Sequence, residues 1–179
     1  INGSITYNTA TNNGGGVSVT DGNYSMHGGL VDNNKAESGY GGGIYVEANN
    51  EKAIVEVLSG TISNNYSNIN GGALSVVGAE NITKEIEVTI GVNEVHDCSH
   101  GDYGSTTCPV IKNNKSELEG GAIYITGTIT AKLNIFCLEE ENNVALGEKE
   151  SRSDFLKVEG GKVLISCADE GSGDDLGKI

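Results

Sequence analysis

A pattern repeated along the chain constrains its fold more than any other feature. Residues 60–76 read GTISNNYSNINGGALSV, and residues 3–19 read GSITYNTATNNGGGVSV, the same pattern without a gap. The pattern returns from Val31-Asp32-Asn33-Asn34 to Gly41-Gly42-Gly43-Ile44-Tyr45-Val46, and from Val110-Ile111-Lys112-Asn113-Asn114 to Gly120-Gly121-Ala122-Ile123-Tyr124-Ile125. A fifth, looser copy runs from Asn142-Asn143 to Gly160-Gly161-Lys162-Val163-Leu164-Ile165. Each unit is an apolar pair ending in Asn, a short polar stretch, and a Gly pair that opens an alternating strand. Repeats at this period mark solenoids, whose units complete their cores only by stacking.

The strands after the Gly pairs alternate with period 2, so Val17/Val19, Ile44/Val46, Leu74/Val76, Ile123/Ile125 and Val163/Ile165 share one face. Ser18, Tyr45, Ser75, Tyr124 and Leu164 fall on the other. A second strand family lies at residues 53–57, 86–90 and 133–137. A strand this short buries little alone, but stacked ~4.8 Å from a like strand it gains a hydrogen-bonded ladder and matched side chains. The Gly pairs suit tight corners that exclude Cβ. The Asn column, Asn8, Asn34, Asn65, Asn114 and Asn143, steps by 26, 31, 49 and 29 residues. Such residues suit inward corners where side-chain amides stack; plain turn residues are the alternative, but recurrence in phase favours the stacked column. The expected fold is all-β: a right-handed parallel β-helix of roughly five turns over residues 1–168, with residues 169–179 an acidic polar exit.

The phrases GGGIYV, GGALSV and GGAIYI, with SGTISNN, resemble the β-helical repeats of bacterial surface adhesins. These include the GGAI-type repeats of polymorphic outer-membrane proteins and similar repeats in cell-anchored proteins of Gram-positive bacteria. The resemblance covers nearly the whole chain and is specific for fold, not for ligand. Where the outer-membrane repeats often carry Phe before the Asn, this chain carries Ile or Val. The resemblance implies an extracellular, cell-surface location and a part in host interaction. The chain opens in mid-repeat, which reads as a segment of a longer protein.

The step from Asn65 to Asn114 exceeds its neighbours by about 20 residues, and the excess is a predicted loop at residues 91–109. It holds His96, Asp97, Cys98, His100, Asp102, Tyr103 and Cys108. Cys98 and Cys108 are spaced for a disulfide in an oxidising compartment. A metal site at His96, Cys98, His100 and Cys108 is the sharper alternative, but the spacing lacks the usual zinc-ligand pattern, so no metal or other cofactor is expected. Cys137 and Cys167 close apolar strands about one turn apart, either bridged or buried as thiols.

The formal charge is −14, from 11 Lys and Arg against 25 Asp and Glu, which argues against nucleic acid as a partner. No apolar run approaches the ~18 residues of a membrane span, so no membrane insertion is expected in this segment. Many β-helices are polysaccharide lyases or hydrolases, but a lyase needs cations to neutralise substrate carboxylates and the chain has one Arg, Arg152. A hydrolase needs converging carboxylates, and the residues before the Asn pairs, Asp32, Ser63, Lys112 and Glu141, do not supply them. The expectation is a non-catalytic adhesin-type module that binds a host protein, immunoglobulin included, or a glycan. Its contact residues would be His96 to Tyr103 in the loop, with Tyr45 and Tyr124 as an aromatic platform. A catalytic β-helix or a purely structural stalk is the alternative.

Overall fold

The computed structural model describes residues 3–78, 84–91, 108–126, 131–135, 139–147, 156–159 and 162–165. Among these residues every strand pairing is parallel and no helix is present. Three sheets run along the stack, and the chain visits them in the same order turn after turn, the arrangement of a parallel β-helix.

The first sheet holds Ser4–Thr6, Asn23–Asp32, Ala53–Ser63, Ile86–Ile90 with Val110–Lys112, Ala131–Ile135 with Glu139–Glu141, and Lys162–Ile165. The second is made of dipeptides: Thr9–Ala10, Lys35–Ala36, Tyr66–Ser67, Lys115–Ser116 and Val144–Ala145. The third holds Val17–Thr20, Ile44–Ala48, Leu74–Gly78, Ile123–Thr126 and Leu156–Val158. Ile44 is paired with Leu74, and Leu74 with Ile123, so the expected vertical neighbours are in register.

The interior is filled by columns of like side chains. Ile44, Leu74 and Ile123 from the third sheet are fully buried, as are Val55, Val57, Val88 and Ile90 from the first. Val31, Ile62 and Ile111 close the same core beside the Asn corner. Each strand exposes one edge-on row of apolar groups, and the row above covers it, so burial at ~25 cal/mol per Å² is collected rung by rung.

The corner between the first and second sheets explains the Asn pairs. The first Asn of each pair is left-handed, with φ of 54° at Asn33, 53° at Asn64, 55° at Asn113 and 52° at Asn142. Asn tolerates that conformation better than any residue but Gly. The reversal takes the next amide off the backbone ladder, and the second Asn restores it with its side chain. Asn65 Oδ1 accepts from Asn34 N at 3.0 Å and from Asn34 Nδ2 at 3.0 Å. Asn65 in turn donates N and Nδ2 to Asn114 Oδ1 at 3.0 and 2.9 Å, and Nδ2 also to Val31 O at 3.0 Å. The same contacts join Asn8 to Asn34 and Asn114 to Asn143, so the five residues form one hydrogen-bonded column, buried from Asn34 to Asn143 and exposed at Asn8.

The Gly pairs divide two tasks. Gly71 has φ of 67°, which turns the chain into the third sheet. At Gly72 a Cβ would collide with the Gly121 carbonyl and the Lys115 backbone one turn away. The first is a conformational need and the second a need for close approach.

The fifth turn corrects the expected register. The third-sheet strand there is Leu156–Val158, paired with Ile123–Ile125, and not Val163-Leu164-Ile165. Lys162–Ile165 belongs to the first sheet, where it pairs with Lys132–Ile135 and starts a sixth turn. Lys157, not Leu164, therefore occupies the position above Tyr124. The first-sheet strand of the fifth turn starts earlier than expected, with Ala131–Ile135 paired to Ile86–Ile90 and Leu133 opposite Val88; Phe136 and Cys137 lie outside the described residues. Asn23–Met26 extends this family into the second turn, pairing with Ile54–Val57.

Two outcomes test this account. Asn65→Ala strands the buried Asn34 amides and the Val31 carbonyl at ~1–3 kcal/mol per unsatisfied group, so urea denaturation should show a loss of more than about 3 kcal/mol. Tyr7 occupies the left-handed corner of the first turn with φ of 57° and is 77% exposed. Tyr7→Asn relieves that strain without loss of packing, and the same measurement should show a gain of about 0.5–1 kcal/mol.

Candidate functional site

Residues 91–109 leave the stack at a definable place. In the second and third turns one continuous strand, Asn23–Asp32 or Ala53–Ser63, covers both halves of the first sheet. Gly28-Gly29 and Gly60, all at positive φ, bend those strands at the midpoint. In the fourth turn Ile86–Ile90 pairs with the first half of Ala53–Ser63 and Val110–Lys112 with the second. The insertion therefore opens from the bend, between Gly91, whose amide donates to Val57 O at 2.8 Å, and buried Cys108. His96, Asp97, Cys98, His100, Asp102 and Tyr103 lie outside the described residues, as do Cys137 and Cys167.

Below that bend, on the outer face, Ser25, His27 and Glu56 meet. Ser25 Oγ donates to Glu56 Oε2 at 3.1 Å and lies 2.8 Å from His27 Nε2. Which of the two groups donates in the Ser25–His27 contact is set by the imidazole tautomer. Ser59 Oγ donates to His27 O at 2.7 Å, tying two successive bends together. Sequence reasoning misses this group, because only the register of the bends brings residues 25, 27 and 56 together.

The aromatic face of the third sheet differs from expectation. Tyr45 is 5% exposed and Tyr124 4%, so neither ring forms an open platform. The segment before each Gly pair folds over this face: Tyr40 stacks on Tyr124 with ring centroids 6.0 Å apart, and Ser75 Oγ donates to Asn70 O at 2.9 Å. Tyr45 OH donates to Glu47 Oε2 at 3.1 Å and Tyr124 OH to Glu159. Burial, reinforced by the neighbouring carboxylates, raises both hydroxyls, Tyr124 to about 12. Both tyrosines stay neutral donors at any physiological pH.

Two aspartates organise outer corners. Burial pushes the Asp32 carboxyl up, but donation from Ser63 Oγ, Asn64 Nδ2 and Asn33 Nδ2 outweighs it and leaves the group below its ordinary value. The expected row Asp32, Ser63, Lys112 and Glu141 is in register. Asp21 accepts from the amides of Asn49, Asn50 and Glu51, the first at 2.5 Å. The Asn49 amide, chiefly, holds its carboxyl below the usual range. Among the described residues no three His, Cys, Asp or Glu side chains gather as a metal site, and no helix is long and apolar enough to cross a membrane.

The comparison with known families falls on the fourth turn. The family model of the Chlamydia polymorphic membrane protein repeat matches residues 110–126. That span runs from the second half of the first sheet, through the Asn corner and the Gly pair, to the end of the third-sheet strand. One rung of this chain is thus similar to a bacterial membrane-protein repeat, which supports a bacterial surface setting in general terms. No curated protein and no solved structure matches the chain.

Asp21 provides a pH test. Its folded value lies below the ordinary 3.8, so its contribution is complete above that value and lost as pH falls through the lower folded one. Hydrogen exchange at the amides of residues 49–51 should accelerate over that acid range relative to the strands on either side, and Asp21→Asn should abolish the pH dependence.

Proposed function

We propose that this chain is a non-catalytic, adhesin-type module of a bacterial surface protein. In this reading the stacked turns form a stiff support, and residues 91–109 make the contact with a host protein or glycan. The observation that carries the reading is the place of the insertion. It opens from a bend that the second and third turns cross with a few residues, while the rungs on either side keep their register. Rigid scaffolds commonly place recognition on such loops. His96, Asp97, His100, Asp102 and Tyr103 are the proposed contact residues. Cys108 is buried where the insertion rejoins the stack, and a Cys98–Cys108 bridge, for which the spacing is suited, would close the loop and lower the ordering cost of binding. Attachment to a cell wall, by likeness to cell-anchored Gram-positive proteins, belongs to the same proposal.

The proposed partner is a folded protein, immunoglobulin among the classes to be screened, or a glycan; the acidic charge disfavours nucleic acid.

A binding screen against host serum proteins and a glycan array tests the proposal, with a variant in which residues 92–107 are replaced by a short Ser-Gly linker. Binding by the parent chain should fall at least tenfold in the variant and on reduction of disulfides, while the β-sheet circular dichroism is unchanged. Undiminished binding by the variant moves the contact off the loop. Failure of the parent to bind anything in the screen leaves the stalk reading, and release of reducing ends or unsaturated sugars from a polysaccharide replaces the proposal with an enzyme.

A further inference from the structure

The outer face of the second sheet carries two parallel columns. The strand positions stack Thr9, Lys35, Tyr66, Lys115 and Val144. Two residues on, backbone bonds from Glu37 N to Ala10 O, Asn68 N to Ala36 O, Glu117 N to Ser67 O and Leu146 N to Ser116 O stack a second column level with the first. The residues between the columns, Ala36, Ser67, Ser116 and Ala145, are buried, so both columns face outward.

Each rung of this face is matched to itself. A two-fold axis parallel to the stack reverses the strand direction of a second copy but keeps its rungs level. The first column of one copy then meets the second column of the other. Lys35 faces Glu37 and Lys115 faces Glu117, each twice across the axis. Val144 and Leu146, 40% and 42% exposed, cover one another at one end. Tyr66 meets Asn68 in the middle, and hydroxyl meets hydroxyl at Thr9 and Thr11. The alternative axis, along the strands, would set Lys35 on Lys115 and Glu37 on Glu117, so charge selects the first arrangement.

We propose that this face pairs with a second copy of the same chain, side by side and with both stacks pointing the same way. The charged groups are available for exchange. The Lys35–Glu37 pair within one copy spans 3.4 Å with side chains 47% and 49% exposed, a geometry worth little in water. Lys35 and Lys115 each sit 5.8 Å from the centroid of the Tyr66 ring, whose hydroxyl donates to Glu117 at 2.7 Å, so the face is preorganised around one aromatic. Five strands at ~4.8 Å spacing and two outward residues per strand make a strip about 19 Å tall and 7 Å wide. That is far below the ~800 Å² per partner of a standard interface, so pairing is weak between free molecules and strengthens where copies are held at high local density. The parallel orientation is the one that two copies fixed to one surface share, although the pairing itself does not depend on the proposed loop contact.

Sedimentation velocity on the full chain, up to about 1 mM and at low and high salt, tests this with three variants. Lys35→Glu with Lys115→Glu, and Glu37→Lys with Glu117→Lys, each place like charges across the axis. The fourfold exchange of all these positions restores opposite charges. The parent and the fourfold variant should self-associate in a salt-sensitive way. Each double variant alone should associate at least tenfold more weakly, and an equimolar mixture of the two should associate more tightly than the parent, which also shows that both fold. A parent that is monomeric throughout, double variants that associate like the parent through another face, or a mixture that stays monomeric overturns the proposal.

Discussion

The rest of the structure depends on the side-chain amide that bridges successive turns at the first corner. Asn65, Asn114 and Asn143 each accept a backbone amide that the left-handed residue of the turn before has removed from the ladder, and Asn34, Asn65 and Asn114 each hand two donors to the next turn. These three are buried at 0–1% exposure, where an unpaired amide would be costly. Only a vertical neighbour offset by one full turn can satisfy it. The column therefore fixes the vertical register of the sheets on both sides, and with it the alignment of Ile44, Leu74 and Ile123 in the core.

That alignment sets what the outside can do. Because the rungs are level, outward residues form straight columns whose chemistry is read vertically. The third sheet holds Tyr45 and Tyr124 under the segments that precede the Gly pairs, with Tyr40 part of that cover. The second sheet leaves its columns open. The first sheet opens at its bend in the fourth turn, where residues 91–109 leave between Ile90 and Val110. Three sides of one scaffold thus have three characters: closed, open and carrying an insertion.

Most of this scaffold is legible in the sequence. The Asn column and the Ile44–Leu74–Ile123 column are readable because both recur in phase with a Gly pair that has a steric purpose. The fifth turn is misleading because Gly160-Gly161 imitates the opening of a third-sheet strand, whereas the true rung, Leu156-Lys157-Val158, has no Gly pair before it. Asn23–Met26 escapes notice because NYSM lacks the apolar alternation of Ala53–Val57, although stacking places it in the same sheet. Alternation correctly puts Tyr45 and Tyr124 away from the core. It carries no information on whether Tyr40 and its neighbours cover them. The left-handed role of Asn33 and its equivalents is hidden because an Asn pair reads the same whichever member turns inward.

The corner Asn also has a direction, since its oxygen receives from the preceding turn while its backbone amide and one Nδ2 proton reach the oxygen of the following one. Every turn consequently presents the same joint at its lower side and the complementary joint at its upper side. Excision or duplication of one whole turn rejoins like to like, whereas a cut of any other length leaves a buried carbonyl oxygen or amide with nothing to meet. Genetic exchange between repeats can accordingly lengthen or shorten the rod in steps of ~4.8 Å while leaving its cross-section unchanged.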